Sequence, residues 1–119
     1  MAEHSLQKTR LAFKRAFISY YVELRSPGVV DPTHVFSRGY VYLAALLDQY
    51  GPHEFMRRLD DETTHLAGQL EQDLRRRSRE GPMLGGYDDL EDRLWECVEY
   101  ARGRLEEQGY LEEGRDSPQ

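Results

Sequence analysis

Glu62 and His65 stand three residues apart, so on a helix both side chains leave from one side. In di-iron carboxylate bundles that pairing lets a carboxylate bridge two metals while the imidazole caps one of them. A full site takes two such pairs and two further carboxylates, and this chain holds one pair. A two-fold axis in a homodimer would supply the second pair, with Glu23 as a further carboxylate. The same residues also read as a solvated flank. Arg58, Glu62, His65 and Gln69 follow one another at spacings of four, three and four along the edge of an apolar stripe, as salt-bridged helix surfaces do. The flank reading is the simpler one, and no cofactor is expected.

The other histidines give less. Arg58 and His65 share a helix with six residues between them, a polar pair of the kind some helical ribonucleases use. Leu59 follows the arginine where that motif has a polar residue, so the pair carries no resemblance. His53-Glu54 opens like a zinc-protease motif, but Arg57 stands where the second histidine belongs. His34 and His53, each near a helix start, read as surface residues. Cys97 lies on an apolar stripe with no cation beside it to stabilise a thiolate, so it reads as a small core residue. No phosphate-binding glycine motif and no strand–turn–helix nucleophile motif occurs.

Lys8, Arg10, Lys14 and Arg15 are interleaved with Phe13, Phe17, Tyr20 and Tyr21 near the N-terminus. Cations hold phosphates and aromatic faces stack on unpaired bases, so nucleic-acid contact is one reading. The aromatics fall on an apolar helical stripe, which makes them core before platform.

These residues sit on four amphipathic segments punctuated by Pro and Gly. The first spans about residues 6–25 and ends at Ser26-Pro27-Gly28. Leu6, Phe13, Phe17, Tyr20 and Leu24 form one face, whereas Leu11, Ile18 and Val22 lie nearly opposite. A helix with two apolar faces buries both or offers one to a partner. The second segment starts at Asp31-Pro32, a good cap followed by a residue suited to the first turn, and ends at Gly51-Pro52. Its stripe is Phe36, Tyr40, Leu43, Leu47 and Tyr50, widened by Val35, Tyr42 and Leu46. Gly39, inside it, suggests a close helix crossing. The third segment runs to about Arg79 with Phe55, Met56, Leu59, Leu66, Ala67, Leu70 and Leu74 inward, and arginines crowd its last turn, where they complement the helix dipole. After a loop with Gly81, Gly85 and Gly86, the fourth begins near Asp88 or Asp89. It buries Leu90, Leu94, Cys97, Val98, Ala101 and Leu105 and stops at Gly109.

The pattern predicts an all-α fold, a compact bundle of about four helices with homodimerisation through the first as one way of completing it. A single domain over residues 1–111 is expected, followed by a polar, disordered tail over 112–119. With 119 residues the chain is long enough to bury a core without staples. One cysteine excludes an internal disulfide and points to a reducing, cytoplasmic setting. No apolar run resembles a signal peptide or a membrane span.

The charge is polarised. Residues 1–58 carry eight Lys and Arg against five Asp and Glu, and residues 59–119 carry eight against seventeen. The acidic half weighs against nucleic-acid binding by the whole surface. The expected function is therefore a non-enzymatic interaction protein, an oligomeric adaptor or small subunit whose partner is another protein or a second copy. Leu11, Ile18 and Val22 are its candidate contact residues.

Overall fold

The computed structural model describes residues 2–77 and 87–111, with side chains from Leu6 onward. Three helices make up the described chain: α1 (Ala2–Glu23), α2 (Thr33–Arg77) and α3 (Leu90–Glu107). No strand occurs among the described residues. The all-helical expectation holds, and the expected second and third segments follow one another in α2 with no loop between them, the backbone breaking at Gly51-Pro52 where the sequence places the boundary. The break between them is local. Gly51 has φ 81° and ψ 162°, a conformation that only glycine reaches without strain, and Pro52 follows it. The chain reverses there, so that α2 has a first arm (residues 33–50) and a second arm (52–77) lying side by side. The Tyr42 hydroxyl on one arm donates to the Glu62 carboxylate on the other at 3.2 Å. The expected tail over 112–119 and the glycine-rich loop over 81–86 lie outside the described residues.

Helix α1 packs on both arms of α2. Its Phe13 ring stacks on Tyr42 of the first arm with centroids 5.6 Å apart, and its Lys14 donates to the Gln69 side chain of the second arm at 3.2 Å. Contact with two neighbours widens the face that α1 must bury. Phe13, Phe17 and Tyr21 are fully buried, and Ile18 is buried too, although the periodicity placed it on the far side. Tyr20 and Leu24 are only partly covered. On α2 the most buried line of the first arm runs through Val35, Gly39, Tyr42, Leu43 and Leu46, a rotation of the expected stripe towards α1. A Cβ placed on Gly39 would stand 3.1 Å from Phe13 Cε1, so the glycine does mark a close crossing.

Helix α3 lies against both arms from another side, and Asp89 at its start bonds to Tyr21 of α1. Phe36 stacks on Tyr100 at 4.4 Å, and the Tyr40 hydroxyl donates to the Gln108 side chain at 2.6 Å. All six expected inward residues of α3 are buried. Its C-terminus closes as a Schellman turn. Gly109 takes φ 84°, the Tyr110 N–H bonds to the Leu105 carbonyl and the Gly109 N–H to that of Glu106, each at 3.0 Å, and Leu111 packs on the core. No described helix is long and apolar enough to cross a membrane.

Candidate functional site

Packing divides the three α1 candidates. Ile18 is 7% exposed, while Leu11 and Val22 are 46% and 41% exposed. Residues 11, 15, 18 and 22 follow at spacings of four, three and four, so they form one stripe running along the outer rim of the α1 contact with α2. Leu11 and Ile18 line the apolar part of a groove of about 370 Å³ between α1 and the end of the second arm of α2. Lys14 and Arg15 edge it from α1, and Asp73, Arg76 and Arg77 from α2. Asp73 pairs with Lys14 at 3.7 Å and with Arg76. Neither Arg15 nor Arg77 has an acidic partner among the described residues. Four cations thus surround a patch of aliphatic carbon with one carboxylate among them. The C-terminal arginines of α2 complement the helix dipole, as their position suggests, but two of them also join α1 cations more than sixty residues earlier in the chain.

The other basic residues of α1 are differently engaged. Arg10 reaches Glu62 at 3.5 Å, and its guanidinium carbon lies 5.8 Å from the Tyr42 ring centroid. Lys8 is exposed, beside Arg38 and Val41 across a shallow hollow. The rings of Phe13, Phe17 and Tyr21 are buried at 0% exposure and offer no stacking face to an unpaired base.

Glu62 is held by Tyr42 and Arg10, and the ring of His65 meets the Gln69 amide at 3.1 Å. Glu23 is thirteen residues beyond Arg10, roughly 20 Å along α1 at 1.5 Å per residue, so one chain does not bring it to Glu62. Among the described residues no group of three His, Cys, Asp or Glu side chains is placed to share a metal ion. Cys97 is fully buried, and burial, then the neighbouring Glu96 carboxylate, push its thiol up to about 12, where it is neither nucleophile nor ligand at neutral pH.

One polar cluster escaped the sequence. The Tyr21 hydroxyl donates to Asp89 at 2.6 Å, and Arg25 donates to the same carboxylate at 3.2 Å while lying 4.1 Å over the Tyr21 ring. Arg93 reaches the second carboxylate oxygen at 3.5 Å. Asp89 stands at the cap position of α3 but makes no side-chain cap bond. One oxygen serves Tyr21 of α1 and Arg25 just beyond it, and the other serves Arg93 of α3. The only sequence signal for this was the acid before α3, which local reasoning assigns to capping.

No family model, curated protein or solved structure matches this chain. The reading of its function rests on its own geometry.

Proposed function

We propose that this chain is a non-enzymatic helical interaction protein, an adaptor or small subunit that engages a protein partner through the outer side of α1. The observation that carries the reading is the α1 stripe. Leu11 and Val22 remain exposed after α1 has packed on both arms of α2, and cations with no acidic partner among the described residues stand between and beside them. Exposed apolar residues placed singly need no explanation. Here they follow a helical repeat, and Leu11 borders a groove that it shares with two arginines that have no acidic partner among the described residues; arginine is enriched at interfaces. The buried thiol and the engaged Glu62 and His65 support a role in binding above one in catalysis.

Paired substitution of Leu11 and Val22 by Asp tests the reading. Native mass spectrometry of the wild-type chain is expected to show assembly, with itself or with a co-purified protein in fixed stoichiometry. The double variant is expected to be a folded monomer with an unchanged helical circular-dichroism spectrum. A wild-type chain that stays monomeric and unaccompanied would refute it, as would a variant that assembles equally well.

A further inference from the structure

Resting on that reading, we infer that the groove between α1 and the second arm of α2 receives an acidic amphipathic helix from a protein partner. Residues 11 to 22 span about 16 Å of α1, or three turns. A helix laid along the groove meets exposed Leu11 and the narrow exposed edge of Ile18, and Val22, one turn past the groove on the same stripe, extends that row; apolar side chains one to two turns apart are the usual geometry of a helix in a groove. Its flanking carboxylates meet Arg15 and Arg77. These two arginines have no acidic partner among the described residues, so such pairing breaks no existing salt bridge there. Lys14 and Arg76 already share Asp73 and set the positive field around the site.

Two other occupants fit less well. A second copy of this chain is acidic along α3, but α3 buries its apolar stripe in its own core and has no aliphatic row to lay on Leu11 and Ile18. Two α1 helices paired about a two-fold axis would turn clusters of like charge towards each other. A nucleic acid would use the cations but not the aliphatic carbon, and the net charge of −6 opposes a polyanion at long range.

Fluorescence anisotropy with the full chain tests the assignment. The probe is a labelled four-turn helical peptide with leucines in i, i+4, i+7 register and flanking glutamates. Its companions carry serine for leucine or lysine for glutamate, and a labelled single-stranded oligonucleotide completes the set. Saturable binding of the Leu–Glu peptide is expected. The serine companion should bind about tenfold more weakly, as should the Leu–Glu peptide to the doubly substituted R15E and R77E chain, and the lysine companion should not bind. Both arginines are on the surface, and a helical spectrum confirms that the variant is folded. Equal binding of the serine companion or of the oligonucleotide would overturn the proposal in favour of a site that reads charge alone. Dimerisation of the chain that is lost in R15E would overturn it in favour of a second copy. If no peptide binds while assembly dependent on Leu11 and Val22 persists, the occupant is wrong and the interaction reading stands; if both fail, the reading fails with it.

Discussion

Tyr21 shows how one side chain joins two distant parts of the chain. Its ring is buried and its hydroxyl ties the end of α1 to the start of α3 through Asp89. The hydrogen bond from Tyr21, then the Arg25 guanidinium, hold the Asp89 carboxyl below the usual carboxylate range. A carboxyl with a lowered folded pKa stabilises the protein above its unfolded value and loses that contribution as pH falls through the folded one. Acid unfolding monitored by circular dichroism is therefore expected to steepen below about pH 4, and D89N is expected to flatten that limb. Tyr21→Phe keeps the ring and removes the donor, at an expected cost of about 1 kcal/mol in urea unfolding. The sign reverses at high pH. Burial first, then the Asp89 contact, push the Tyr21 hydroxyl up to about 12, and burial with the Glu62 carboxylate does the same for Tyr42. Both groups keep their stabilising contribution below the ordinary tyrosine value of 10.0 and lose it as pH rises towards about 12, which a pH titration of the melting temperature reads directly.

The elements are set by two glycines of opposite purpose. Gly51 turns α2 back on itself with a backbone that an L side chain adopts only under strain, and nothing stands within 4 Å of where its Cβ would lie. Gly51→Ala should therefore cost about 1–3 kcal/mol through the backbone alone, measured as a shift in urea midpoint at constant slope. Gly39 has ordinary helical dihedrals and is small because Phe13 is close. The Phe13 ring is fully buried and stacked on Tyr42, so it has little room to retreat from a new methyl group. Gly39→Ala gains helix propensity of up to about 1 kcal/mol but is expected to lose more in overpacking, for a net destabilisation of about 1 kcal/mol. Steric cost of this kind is separable from backbone strain: Phe13→Leu in the same chain should recover part of the loss at Gly39 and none at Gly51.

At the scale of the whole molecule, the substitutions that report on fold and on association fall on neighbouring residues of one helix. Ile18→Ala removes a buried side chain and is expected to cost about 2–4 kcal/mol in chemical denaturation. Leu11→Asp and Val22→Asp lie on the exposed rim and should each change stability by no more than about 0.5 kcal/mol while altering assembly. The Cys97 thiol gives an independent probe of the closed bundle. It should resist a thiol reagent at neutral pH in the folded chain and react in denaturant, because its burial keeps it protonated and out of reach.

Helix type, approximate ends and the inward face of α3 were legible in the sequence, because a single 3.6-residue period met a single surface to bury. Leu90, Leu94, Cys97, Val98, Ala101 and Leu105 are all buried as that period requires. The cap at Gly109, the turn at Gly51-Pro52 and the close crossing at Gly39 were legible for the same local reason: each is a property of glycine or proline at one position. The face of α1 was not. Its period has two apolar sides, and only the return of α2 at Gly51, which puts two arms beside α1, decides that Ile18 is inside while Leu11 and Val22 stay out. The candidate groove was divided likewise. Lys14 and Arg15 belong to a basic run and Arg76 and Arg77 to a helix terminus, yet nothing local relates residues sixty positions apart. Sequence periodicity encodes what each helix must bury. Which helix does the burying, and therefore which charges and aliphatic groups are left together at the surface, is a property of the packed molecule alone.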